Sequence, residues 1–138
     1  MSIIQELINL GRIYLAIPYS HSDEEVKELR YEIANWISAY LMRMDAIVFS
    51  PITHSHPLVK YGLPTGYEYW RTQDESFMDT CASIIVVTLD GYESSNGVNS
   101  EIMYMTNSGK PAHYLDLEEL AKQNKEFAMM VYNHIHLV

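Results

Sequence analysis

One stretch limits the folds open to this chain more than any other: Ser83-Ile84-Ile85-Val86-Val87-Thr88-Leu89, an unbroken apolar and β-branched run. A strand with one face in water alternates polar and apolar residues. A run without alternation is a strand covered on both faces, as in a parallel sheet packed between helices. The run passes into Asp90-Gly91-Tyr92-Glu93-Ser94-Ser95-Asn96-Gly97, a loop of small polar residues that can cap a helix or admit a ligand close to the backbone. A helix is expected next, from Val98 to Ser108, closed by Gly109 and carrying Val98, Glu101, Ile102 and Met105 on one stripe. Glu101 is thus a carboxylate on the apolar side of a helix that follows a buried strand, which makes it a candidate catalytic group. First helical turns also attract acids through their unpaired N–H groups, so a purely structural Glu101 is the competing reading.

The rest of the chain alternates in the same way. Ser2 to Leu10 has helical spacing and ends at Gly11, and Ile13 to Ile17 reads as a strand stopped by Pro18. Ser22 and Glu25 stand at capping-box spacing before the longest helical stripe, Val26, Leu29, Ile33, Trp36, Ile37, Tyr40, Leu41 and Met44. Arg30 lies beside that stripe, within reach of the strand ends, although a solvated arginine is the default. Ala46 to Ser50 is a second strand stopped by Pro51, and Pro51 to Gly66, with three prolines and two glycines, is expected to be a long functional loop. Glu68 to Ala82 is helical, Pro111 to Leu115 is a short strand, and Leu117 to His134 is one amphipathic helix with Leu120, Phe127, Met130 and Val131 inward. Strands alternating with helices, without hairpin signals, indicate a single α/β domain over residues 1–138. Its fold is doubly wound (flavodoxin- or Rossmann-like), a parallel sheet of four to five strands flanked by helices.

A second acid falls among apolar neighbours. Asp74 is four residues after Trp70 and three before Phe77, so it shares their helical face, and a carboxylate there is costly unless it is paired or borders a cleft. An ion pair with Arg71 is the plain alternative. Two inward carboxylates near the strand ends suit glycosidic-bond chemistry, in which one acid attacks the sugar carbon and another group protonates the leaving group. On this reading the helix N-terminus keeps Glu101 ionised as the nucleophile, and aromatic neighbours raise Asp74 so that it donates the proton.

Other features narrow the partners. A net charge of −9 argues against a nucleic acid polymer, which needs clustered Lys and Arg, but leaves room for a mononucleotide whose phosphate sits on a helix N-terminus. His54 and His56 are two apart in a segment without neighbouring ligands, too weak a pattern for a metal site, so no metal and no cofactor is expected. Binding or covering a substrate suits that segment better. Cys81 stands alone, excludes an internal disulfide and reads as a small buried apolar residue. No apolar run reaches the ~20 residues of a membrane span and no signal-peptide pattern opens the chain, so a cytoplasmic protein without membrane partners is expected. Eleven tyrosines and eight methionines are available to line an aromatic pocket or a subunit interface.

Taken together, Ile13-Tyr14-Leu15-Ala16 with Pro18-Tyr19-Ser20, Ser50-Pro51-Ile52, Trp70 and Asp74, Leu89-Asp90-Gly91 with Ser95-Asn96-Gly97 and Glu101, and Gly109-Lys110-Pro111 give the chain a family likeness. It resembles the nucleoside 2-deoxyribosyltransferase superfamily, in particular its small phage and bacterial members of unknown function, from about Arg12 to Leu115. The spacing from Ser95 through Gly97 to Glu101 is the most specific carrier. The resemblance implies that Glu101 is the nucleophile on the anomeric carbon, that Asp74 assists at the base or sugar, and that Tyr14 orients Glu101. The substrate-binding residues expected are Pro18, Tyr19, Ser20, Trp70, Ser95, Asn96 and Gly97 of these motifs, together with His54 of the segment from Pro51 to Gly66. A serine at the position of Ser95 is similar to relatives that hydrolyse deoxynucleoside 5′-monophosphates, where it helps to hold the phosphate. The likeness further suggests a homo-oligomer, a dimer or higher, in which neighbouring subunits complete the cleft. Two departures stand out: Asn99 occupies a position that is often a second glycine, and Glu75 competes with Asp74 for the alignment.

The expectation is therefore an N-glycosidase or deoxyribosyltransferase acting on a (deoxy)nucleoside or its 5′-monophosphate through a covalent glycosyl-Glu101 intermediate. The alternatives are a non-catalytic nucleotide-binding or sequestering protein, and a structural subunit that would leave Asp74 and Glu101 unexplained.

Overall fold

The strands that lack alternation are buried on both sides. In the computed structural model, which describes residues 1–132, β1 (Ile13–Ala16), β2 (Val48–Phe49), β3 (Ser83–Val87) and β4 (Ala112–Leu115) form one all-parallel sheet in the order β2-β1-β3-β4. Tyr14 is level with Ile84 in β3 and with Phe49 in β2. The helices are α1 (Ile3–Leu10), α2 (Glu24–Arg43), α3 (Pro51–Val59), α4 (Tyr67–Asp79), α5 (Asn96–Asn107), α6 (Leu117–Gln123) and α7 (Lys125–Tyr132), with a 3-10 turn at Tyr92–Ser94. This is the doubly wound α/β architecture.

Period two within each strand divides the core. Ile13 and Leu15 of β1, with Ile85 and Val87 of β3, pack on Ile33 and Ile37 of α2 and on Phe127 and Val131 of α7. Tyr14 and Ala16, with Ile84 and Val86, point the other way and meet Met78 of α4 and Val98 and Met105 of α5. Cys81 belongs to this second layer as a buried free thiol, which burial pushes up. Tyr14 thereby comes to lie under α5, the helix that carries Glu101.

Four local expectations need correction. The segment after Ser50 is not an irregular loop: Ser50 accepts from the Thr53 amide as N-cap and Pro51 fills the first helical position, where a missing N–H costs nothing, so α3 forms through Val59. The strand expected over Ala46 to Ser50 is only Val48–Phe49, Ser50 being taken up as the cap of α3. Asp23, not Ser22, caps α2, accepting from the Glu25 amide. The last helix is broken at Asn124, whose backbone is extended and whose side-chain amide donates to the Leu120 carbonyl. Its expected end at His134 lies outside the described residues.

Chain order places the site. After β1 the chain moves to β2 on one side, then returns to β3 on the other, so the loops leaving β1 and β3 diverge. A crevice opens between such loops at the carboxyl ends of neighbouring strands.

Candidate active site

The crevice is a hollow of about 650 Å³, within the usual range for small-molecule sites. Its walls come from the loop after β1 (Pro18, Tyr19, Ser20), the loop after β3 with the start of α5 (Ser94 to Val98), and inward residues of α4 and α5. Trp70, Asp74 and Glu101 all line it. The two carboxyl groups singled out from sequence therefore share one space.

Helical spacing explains the convergence. Asp74 is carried one turn beyond Trp70 on α4, and its neighbour Glu75 turns aside to pair with Arg71 at 3.0 Å. The competing Arg71–Asp74 pair is thus absent among the described contacts, and Glu75 is not the inward acid. Burial raises Asp74 from 3.8 to about 7. On α5, Ser95 is the N-cap, its Oγ accepting from the Val98 amide at 3.2 Å. The amides of Asn96 and Gly97 lie in the first turn, where a helix offers no internal acceptor.

Glu101 falls in the second turn of α5 and is only 6% exposed. It does not behave as a carboxylate held ionised by the helix N-terminus. Burial is the largest influence and, with the nearby Asp74, raises Glu101 to about 8, against a lowering by the Tyr14 hydrogen bond. The helix-end field fades beyond the first turn, whereas the loss of hydration does not. The fully buried Tyr14 hydroxyl donates to Glu101 Oε2. Burial and the two acids push this phenol well above its ordinary value, so it remains a donor.

Arg30 departs most from the solvated default. It is 6% exposed, lines the hollow, and donates from its two terminal nitrogens to the main-chain oxygens of Ser20 and Asp90, each at 3.2 Å. One guanidinium thus ties the loop after β1 to the loop after β3. Burial lowers Arg30 from its ordinary value and Asp90 opposes this, yet a guanidinium stays charged in proteins. The hollow therefore combines a fixed cation, a helix N-terminus and two carboxyl groups that resist ionisation.

The remaining sequence candidates divide. Pro18, Tyr19, Ser20, Trp70, Ser95, Asn96 and Gly97 line the hollow. Trp70 is steadied by its indole N–H, which donates to the Pro64 oxygen at 2.8 Å. Tyr14 reaches the hollow only through Glu101. His54 is not on the wall: it packs against Phe49 and Phe77, because the helical turn of α3 carries it away. Tyr67 was missed in the sequence. It opens α4 one residue earlier than its spacing suggests, lies against Gly97 and lines the hollow. Among the described residues no three of His, Cys, Asp and Glu gather as metal ligands would, and no helix is long and apolar enough to cross a membrane.

Fold and hollow together define an α/β protein with a ligand-sized crevice at the switch point of a parallel sheet. Residues 11–116 match the family model described as a domain of unknown function (DUF1937), and the chain belongs to that family. No curated protein matches the chain.

Proposed function

We propose that the protein cleaves the base–sugar bond of a deoxynucleoside or its 5′-monophosphate, as an N-glycosidase or deoxyribosyltransferase of the nucleoside 2-deoxyribosyltransferase kind. The observation that carries this reading is the pairing of Asp74 and Glu101 in one hollow, both raised toward neutral pH. Two such acids titrate as a pair, and the form with one proton serves the chemistry. Burial holds Glu101 above Asp74, so the lone proton rests mainly on Glu101. The reactive form is the minor one with the proton on Asp74 and the charge on Glu101, where the Tyr14 hydroxyl stabilises it. A Glu101 oxygen attacks the anomeric carbon while the leaving base takes the proton from Asp74. In the hydrolytic second half, the Asp74 carboxylate takes a proton from water as that water displaces Glu101 from the sugar.

The first-turn amides of α5 and the Ser95 hydroxyl suit an anionic group such as a phosphate, and Trp70 and Tyr67 suit a flat base. A binding protein without activity would use these features, but would gain nothing from a buried and a half-buried acid beside its ligand.

The test is incubation with a panel of deoxynucleosides and their 5′-monophosphates, with free base followed by chromatography. Base release by the wild type and none by Glu101→Ala is the expected result. Tight binding without release would favour the sequestering protein.

A further inference from the structure

Behind the Tyr19 wall of the hollow lies an ordered chain of polar groups that the reaction above does not use. The Tyr19 hydroxyl and His56 Nδ1 are 2.6 Å apart, and His56 Nε2 is 2.7 Å from Glu28 Oε2. Tyr31 of α2 stacks on the imidazole at 4.4 Å, and the Tyr19 ring meets it edge-on at 5.5 Å. Three elements therefore fix this one ring: the loop after β1, α2 and α3. Ser55 and Val59, which flank His56 on α3, line the same wall as Tyr19.

For a neutral His56 the direction of each proton follows from the donor inventory, whereas an imidazolium donates from both ring nitrogens. An ionised carboxylate only accepts, so the Nε2 hydrogen of His56 is the one shared with Glu28. A neutral imidazole with its hydrogen on Nε2 has a bare Nδ1, which only accepts. The single hydroxyl hydrogen of Tyr19 is then committed to Nδ1. Burial, with Glu24 and Glu28 nearby, pushes the Tyr19 phenol up, so it keeps that hydrogen.

We propose that Glu28 and His56 are positioning residues that fix the polarity of Tyr19, so that its oxygen faces the hollow as an acceptor and reads a hydrogen-bond donor on the ligand. On the reading of the substrate given above, on which this rests, the donor is a sugar hydroxyl or an exocyclic amine of the base. Both are O–H or N–H groups of one chemical kind. A ligand presenting only an acceptor at this point would face a like lone pair and be disfavoured. The hollow would thus select by hydrogen-bond sense at the wall opposite the chemistry of Asp74 and Glu101.

Two measurements test this. The first needs no ligand: nitrogen-15 NMR of the His56 ring reports which nitrogen carries the hydrogen in the neutral form. A hydrogen on Nε2 is expected, moving toward an even tautomer mixture in Glu28→Gln. A hydrogen on Nδ1 would make Tyr19 a donor toward the hollow and overturn the proposal, whatever the hollow binds. The second is calorimetric binding in the Glu101→Gln background, where turnover is blocked. Deoxynucleoside 5′-monophosphates are compared with counterparts lacking the 3′-hydroxyl and with counterparts lacking the exocyclic amine. Tyr19→Phe is expected to weaken one donor-bearing ligand about five- to tenfold and to leave its donor-less counterpart unchanged, and the pair that responds names the group read. Equal effects on both members of every pair would overturn the proposal. If no member of the panel binds, the substrate reading falls, and the tautomer alone decides the polarity.

Discussion

Replacing Glu101 by glutamine should stabilise the protein, and by an amount that depends on pH. The native carboxyl is raised from 4.5 to about 8, chiefly by burial. Above pH 4.5 the unfolded chain releases a proton that the native state retains, so this residue makes wild-type stability fall as pH rises to about 8, and no further beyond it. At pH 7 the mismatch spans about 2.5 pH units, or roughly 3 kcal/mol at about 1.4 kcal/mol per unit. A glutamine of the same shape has no proton to lose, and its amide oxygen accepts from the Tyr14 hydroxyl as the carboxyl does. Urea unfolding of wild type and Glu101→Gln at pH 4, 5, 7 and 8 should show near-equal midpoints at pH 4. The variant should lead by about 3 kcal/mol at pH 7 and by more at pH 8. A gap that stays constant with pH would refute the argument, because it would mean that Glu101 titrates alike in the folded and unfolded chain. Stability gained as activity is lost is the pattern expected of a residue kept for chemistry.

Three further outcomes follow from the same contacts. Tyr14→Phe removes the donor that lowers Glu101, so the falling limb of the base-release pH profile, set by the higher of the two transitions, should move up by about one pH unit; an unmoved limb would exclude Tyr14 from setting the Glu101 charge. Arg30→Met leaves the Ser20 and Asp90 oxygens without their shared donor and should cost about 2 kcal/mol in urea unfolding, whereas a change within about 0.5 kcal/mol would mean that the tie between the loops carries no stability. Ser50→Ala removes the cap of α3 and should cost about 1 kcal/mol, a loss not expected of an irregular loop.

The fold was legible where burial writes itself into residue type. The uninterrupted β3 run and the long stripe of α2 each have one stable solution, and the parallel sheet follows from their alternation. Both acids were legible for the same reason, since Asp74 and Glu101 stand at helical spacing among apolar residues. What misled was local chemistry with two meanings. Proline usually signals a break, but behind Ser50 it begins a helix, and that reversal hid α3 and sent His54 to the wrong surface. The charge of Glu101 was misjudged because spacing shows which way a side chain points, not how completely its surroundings dry it. Arg30 and the Tyr19–His56–Glu28 chain join residues far apart in sequence, and no local pattern carries such contacts.

The proposed chemistry needs two acids that share one hollow and hold protons close to neutral pH. Carbon-13 NMR of the Asp74 and Glu101 carboxyl carbons across pH 3 to 10 tests it directly. Transitions near 7 and 8 are expected, with the Glu101 transition moving down in Asp74→Asn as the neighbouring charge is removed. Two independent transitions near pH 4 would place both groups in water and contradict it.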